Sequence, residues 1–243
     1  MSPRRAYATA GRVLLQLRHD PRTVALVLVV PCALLALLRG VLSQQQFDAA
    51  SPTMLGIFPF VTLFVVTSVA TLRERTSGTL ERLLTTRMGK ADLLAGYALA
   101  FGLTGMVQTG LASALTLGVL RSTVPAHATL MVLLAVLDAL LGVGLGLLVS
   151  AFATTEFQAV QFMPALVLPQ VLLCGLFAPR SGMTTGLRWL SDALPLSYAA
   201  DGLQRLATGR TVGHEVVIDG SVVAAAVLAS LCLAALTLRR QTH

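Results

Sequence analysis

The chain carries little charge. Only 12% of its 243 residues are Asp, Glu, Lys or Arg, about half the share of a soluble domain, and too few to cover a water-facing surface. It has no asparagine, one lysine (Lys90) and one tryptophan (Trp189). Seventeen arginines against that single lysine point to a GC-rich coding genome of actinobacterial type. The three cysteines, Cys32, Cys174 and Cys232, lie inside apolar runs at spacings that fit no zinc motif, so neither a disulfide framework nor a metal site is expected. A phosphate-binding loop needs G-x-x-x-x-G-K-[ST]; Gly89 precedes Lys90, but Leu84 and Ala91 stand at the other two positions. Neither H-E-x-x-H nor G-x-S-x-G occurs, and the histidines at 19, 127, 214 and 243 are scattered. Nucleotide hydrolysis and intramembrane hydrolysis therefore have no catalyst, and the chain reads as non-enzymatic, with no cofactor of its own.

Long apolar runs fill the remainder. Hydrophobic residues make up 55% of the chain and mean hydropathy is +0.78, which marks an integral membrane protein. The formal charge of +7 does not imply nucleic acid, because the arginines gather at the edges of apolar runs, where they contact anionic leaflets and set topology. Six spans are expected, at 23–38, 52–72, 93–120, 127–151, 156–178 and 216–238, each near the length a bilayer core requires. Ser51-Pro52 reads as the start of the second, with Ser as cap and Pro in the first turn. Thr155 and Gln158 have capping-box spacing at the start of the fifth. No cleavable signal peptide is evident, since the first long apolar run begins only at Thr23.

With the N-terminus inside, twelve basic residues face the cytoplasm and six face out. Both termini are then cytoplasmic. Residues 4–20 place Ala6, Ala10, Val13, Leu14 and Leu17 at helical spacing opposite Arg4, Arg5, Arg12 and Arg18. That pattern predicts an amphipathic helix in the inner membrane surface. Segment 179–215 predicts two short outer-side helices, 184–193 and 197–208, separated by Pro195, with Trp189 and Tyr198 at headgroup level. Gly142-x-x-x-Gly146 predicts close helix packing, and Pro31, Pro59, Pro164 and Pro169 predict kinks within spans.

The longest charged interruption is 73–92, RERTSGTLERLLTTRMGKAD, with five basic residues. Leu80, Leu83 and Leu84 fall on one helical face beside Glu81 and Arg82, after a break at Gly78. Such a ridge suits docking into a soluble partner; a plain topogenic loop suits the pattern equally. Within the spans, Asp138 stands near the middle of the fourth, at a cost of about 3 kcal/mol on insertion scales. It is either part of a translocation path or a proton-linked site, or a carboxyl holding helices together through Gln108 or Thr104. Gln161 and Gln170 divide the same way, between facing a cavity and bonding between helices. Glu156 and Asp219 each have a local explanation, an acid near a helix start.

The run RERTSGTLERLL, followed by Lys90 and a long Gly-rich span, resembles the membrane subunits of ABC type-2 exporters, which carry an E-x-x-x-G-T-L-E-x-L-like segment at this place. Ser150–Gln161 (SAFATTEFQAVQ), Pro164, Cys174-Gly175 with Pro179, and LPLSY at 194–198 are similar to that family's second half in order and spacing. The compact drug-exporter permeases of the daunorubicin-resistance type are the nearest subclass. The resemblance implies an all-α domain over 1–243: an interfacial helix at 1–22, two spans within 23–72, a cytoplasmic coupling segment at 73–92, three spans within 93–178, outer re-entrant helices at 179–215, and the last span with a cytoplasmic tail at 216–243. It implies that Glu74, Arg75, Gly78, Thr79, Leu80, Glu81 and Leu83 face a separate ATPase chain, which binds ATP and magnesium. A second permease subunit, identical or related, is implied as well. The cargo would be a drug, lipid or glycan-like amphiphile, with Gln108, Asp138, Gln161 and Gln170 as candidate polar positions on its path. Two departures stand out: Thr86-Arg87-Met88 replaces the usual proline after the coupling segment, and Leu173-Cys174-Gly175 replaces an aliphatic-Ser-Gly turn. Two other functions fit the composition, a proton-coupled carrier using Asp138 and a membrane scaffold without transport.

Overall fold

The helices begin where the chain supplies caps. The computed structural model describes residues 2–77, 89–120, 127–209 and 212–237, and among these every regular element is helical. Helix α1 (Pro3–Arg18) opens on a proline. Helix α2 (Pro21–Val41) is capped by Asp20, whose Oδ1 accepts the Thr23 N–H at 3.2 Å. Helix α3 (Gln44–Thr76) starts at a reciprocal box: Ser43 Oγ accepts from the Gln46 N–H, and Gln46 Oε1 accepts from the Ser43 N–H at 3.1 Å. The start expected at Ser51-Pro52 is thus overridden. Pro52 sits inside the helix, where it forgoes only its own backbone donor.

Helix α4 (Lys90–Ala114) runs on through a π-helical turn at Leu115–Val119. Helix α5 spans Ala128–Ser150. Helix α6 (Glu156–Leu173) begins as its sequence predicts, with Thr155 Oγ1 accepting the Gln158 N–H at 3.1 Å. It stops short of residue 178, because the chain turns at Gly175, whose φ of +92° only glycine adopts readily. After a 3-10 turn at Arg180–Gly182 come two short helices, α7 (Thr185–Ala193) and α8 (Pro195–Ala207), the second with Pro195 at its first position. Helix α9 covers His214–Thr237. Helices α2, α3, α4, α5, α6 and α9 are the six long and apolar enough to cross a membrane.

Two of them form the centre. Helices α3 and α5 make the most extensive contact in the bundle. They approach closely because Gly142 lies against the Phe60 carbonyl and Gly146 against the Phe64 carbonyl, where a Cβ has no room. Around them lie one cluster that includes Leu63, Tyr97, Phe101 and Leu147, and another that includes Phe60, Val167, Leu196 and Val223. Helices α2 and α6 are peripheral, only 17% buried against 61% for α3 and α5. Helix α1 turns its small residues Ala6, Thr9, Ala10 and Val13 onto the rest of the chain, and Gly96 of α4 admits Ala6 and Thr9 at close range. At 33 residues, α3 is about 50 Å of helix, against a hydrocarbon core of about 30 Å. It therefore projects beyond that core.

On the opposite face from α1, side chains fasten the short helices. Ser191 Oγ donates to the Leu173 carbonyl at 2.8 Å, joining α7 to the end of α6. Gln204 Nε2 donates to the Ala49 carbonyl at 2.7 Å and to Thr53 Oγ1 at 2.9 Å, joining α8 to α3. Arg180 pairs with Asp192 and Asp201 and lies over the Tyr198 ring, while Arg205 pairs with Asp219 and Glu215.

Candidate coupling site and buried polar positions

Three consecutive residues at the end of α3 reach three different parts of the bundle. Successive residues on a helix point about 100° apart, so Arg73, Glu74 and Arg75 cannot share a partner. Glu74 turns toward α1 and α4. Its two oxygens accept from Arg12 Nη1 and Nη2, each at 2.9 Å, and the Tyr97 hydroxyl donates to Oε2. A bidentate guanidinium–carboxylate pair is among the stronger polar contacts, and this one is mostly shielded, with side chains 28% and 15% exposed. Arg12 is further oriented by its bond to Gln16 Oε1 at 3.2 Å.

Arg75 turns toward the end of α5. It donates to the Ala151 carbonyl at 2.7 Å and to the Ala153 carbonyl. Both carbonyls lie just past Ser150, the last residue of α5, so the guanidinium satisfies the turn that ends the helix and sits at its negative end. Arg73 turns toward α6, donating from Nε and Nη2 to Glu156 at 2.9 and 3.0 Å. Glu156 lies in the first turn of α6, where the helix favours an acid. This pair is open to solvent, at 61% and 50% exposure. A fourth tie holds the start of α1, where the Ser2 N–H donates to Asp92 Oδ1 at 2.8 Å.

Of the residues expected to face an ATPase, Glu74 and Arg75 are described, and their charged groups are bonded within the chain. Gly78, Thr79, Leu80, Glu81 and Leu83 lie outside the described residues. The partners of Glu74 and Arg73 were not legible from sequence. Arg12 and Tyr97 stand 62 and 23 positions from Glu74, and Glu156 stands 83 from Arg73, far beyond any helical spacing rule.

The four polar span residues differ in their settings. Asp138 and Gln108 are fully buried, and neither has a hydrogen-bond partner among the described residues. The bond expected from Asp138 to Gln108 or Thr104 does not form: Thr104 donates to the Ala100 carbonyl of its own helix at 2.9 Å. Asp138 packs against α3 and α8, since a Cβ at Gly56 would meet its Oδ2 at 2.9 Å and Leu203 at 2.7 Å. Gln170 is buried and donates to the Leu166 carbonyl at 3.1 Å, leaving its Oε1 without a partner among the described residues. Gln161 is exposed on α6. Asp219 lies within α9, paired with Arg205, so its environment is set by α8 as well as by its own helix.

Several cavities open among the described residues. One of about 440 Å³ opens among α1, α2, α3 and α4, beside Glu74 and Tyr97. A second, about 300 Å³, lies between the start of α3, the Cys174–Gly175 turn and α8, with Asp201 and Gln204 in its wall. No group of His, Cys, Asp or Glu side chains that could hold a metal ion occurs among the described residues.

The sequence profile described as ABC-2 type transporter matches residues 5–206. Among curated proteins, the linearmycin resistance permease protein LnrN of Bacillus subtilis strain 168 is 28% identical over 200 residues, covering 79% of this chain and 52% of LnrN. The probable multidrug ABC transporter permease YbhR of Escherichia coli strain K12 is 25% identical over 150 residues, 62% of this chain and 41% of that protein. ABC transporter G family member 20 of Dictyostelium discoideum is 22% identical over 162 residues, 67% of this chain and 22% of that protein. The chain thus spans between about a fifth and about a half of the length of these relatives.

Proposed function

Because the chain belongs to the ABC-2 type transporter family, we propose that it is the membrane subunit of an ATP-driven exporter of a hydrophobic or amphipathic compound, a drug, lipid or glycan-like molecule. A separate ATPase chain, with its ATP and magnesium, supplies the energy, and a second permease subunit, identical or related, completes the path. The nearest functional type is the compact drug exporter of the daunorubicin-resistance kind; relatives named for multidrug and linearmycin resistance support that direction. The protein resides in a bacterial cytoplasmic membrane with both ends of the sequence in the cytoplasm. Gly78, Thr79, Leu80, Glu81 and Leu83 carry the ATPase contact, and Glu74 and Arg75 act behind them by passing displacement into the bundle.

One observation carries this reading: immediately before that segment, Arg73, Glu74 and Arg75 engage α6, α1 with α4, and the end of α5. A push on the segment is then delivered through α3 to four other helices at once. The test is co-expression with the candidate ATPase. Gly78→Pro and Glu81→Arg are expected to leave the complex assembled and hydrolysing ATP while substrate efflux falls at least tenfold. Unchanged efflux in both variants overturns the assignment.

A second reading rests on Asp138, fully buried with neither oxygen partnered among the described residues. A carrier exchanging protons through this carboxyl needs no ATPase. Uptake by the chain alone in proteoliposomes under a proton gradient, lost in Asp138→Asn, favours that reading over the first.

A further inference from the structure

The cavity among α1, α2, α3 and α4 has two chemically different ends. Its wall is apolar where Val65, Val66 and Val69 of α3 face Leu26 of α2 and Phe101 of α4. Its mouth holds Asp20 and Arg73. Leu26 is 55% exposed, so the cavity stands open on the side of α2. At about 440 Å³ it falls within the range of small-molecule sites, large enough for a headgroup and the upper part of its chains but not for a whole two-chain lipid.

The mouth offers charge of both signs with bonding capacity to spare. Asp20 accepts the Thr23 N–H at 3.2 Å and the Thr23 hydroxyl at 2.7 Å, one bond to each oxygen, with the Arg22 backbone N–H contributing more weakly, and a carboxylate keeps room for a further donor. Those bonds from Thr23, with a lesser contribution from the charge of Arg73, hold the Asp20 carboxyl below its ordinary value. It is therefore ionised at neutral pH. No lysine or arginine among the described residues comes within ion-pair distance of it. Arg73 uses Nε and Nη2 on Glu156, and Nη1 retains its donors. The other acid of the wall, Glu74, is already neutralised by Arg12. The charge of Arg73 is already shared with Glu156, so Nη1 offers spare donors while Asp20 offers unpaired charge, and a ligand carrying a cationic donor beside a hydrogen-bond acceptor answers both.

We infer that this cavity binds a phospholipid with a primary ammonium headgroup from the inner leaflet, its ammonium on Asp20, its phosphate on Arg73 Nη1, and its upper acyl segments against the valine wall of α3. A quaternary ammonium is a poorer fit, because it cannot donate hydrogen bonds to the carboxylate. The site does not depend on an ATPase, so its failure leaves the permease reading intact.

Native mass spectrometry of the purified full-length chain, titrated with short-chain phosphatidylethanolamine or phosphatidylglycerol, tests the site. The expected result is one saturable site for phosphatidylethanolamine, about tenfold tighter than for phosphatidylglycerol, as a charge-assisted contact predicts. Asp20→Asn keeps a side chain that caps α2 equally well and is expected to bring the two lipids level. Val69→Trp fills the cavity and is expected to abolish saturable binding of both. Where that variant does not purify as a single species, Leu26→Trp fills the same space from α2. Equal affinity for the two lipids in the unmodified chain, a preserved preference in Asp20→Asn, or saturable binding after the cavity is filled each overturns the inference.

Discussion

Glu74 and Arg73 are neighbours in sequence with opposite prospects on removal of their partners. Glu74 is 15% exposed, so deleting the guanidinium of Arg12 leaves a shielded carboxylate with the Tyr97 hydroxyl alone. Stranding a charged group in this way costs about 2–3 kcal/mol. Glu156, at 50% exposure, is solvated when Arg73 is lost, and exposed pairs contribute about 0–1 kcal/mol. Thermal unfolding in detergent is expected to show a clear fall in midpoint for Arg12→Ala and little change for Arg73→Ala. Equal falls contradict the burial argument. Glycines divide the same way. Gly142→Ala forces a methyl onto the Phe60 carbonyl, backbone that cannot step aside, whereas a Cβ at Gly110 meets nothing within 4 Å. The first is expected to lower the unfolding midpoint, and the second to leave it level or raise it slightly, since alanine is the better helix former.

Among elements, the number and order of helices were legible because six apolar runs in a lightly charged chain leave few alternatives. Starts were legible only where one cap signal stood alone. Thr155 with Gln158 is such a case. At α3 two signals competed, and the reciprocal Ser43–Gln46 box prevailed over Ser51-Pro52, because a proline inside a helix costs a bond while a box satisfies two donors. Hydrogen exchange checks this: Ser43→Ala with Gln46→Ala is expected to speed exchange of the first turns of α3, and Ser51→Ala to leave them unchanged. The candidate site was far less legible. Glu74 could be singled out by motif, but its bonds to Arg12 and Tyr97 depend on how α1 lies across α4. That docking follows from Gly96 admitting Ala6 and Thr9, a fit between surfaces that no local pattern announces. The pairing of Asp138 with Gln108 failed for the same reason: the face that α5 turns to α3 and α8 is set by Gly142 and Gly146, and Asp138 goes with it.

Across the whole molecule, the strengths of these joints indicate where it can move. Helices α1, α3 and α4 meet at the shielded Arg12–Glu74–Tyr97 cluster, and α5 is fixed to α3 by close glycine packing and by the Arg75 cap. Helix α6 is held to α3 at this end by the exposed Arg73–Glu156 pair and by a small apolar cluster of Leu72, Val69, Ala159 and Phe162, and is only 17% buried along its length. Interfaces rearrange where the separation costs least. On the permease reading, α6 therefore shifts against a block of α1, α3, α4 and α5 during each cycle. Cysteines at 12 and 74, in a background with Cys32, Cys174 and Cys232 changed to alanine, are expected to accept a short disulfide-forming bifunctional thiol reagent, and bridging them is expected to change ATP-driven efflux by less than about twofold from the same variant unbridged, because the block already moves as one. Cysteines at 73 and 156 bridged by the same reagent are expected to arrest efflux, and reduction of the bridge to restore it to the level of the unbridged variant. Arrest by the first pair with free running of the second would reverse the assignment, making α1 the moving part and α6 part of the fixed frame.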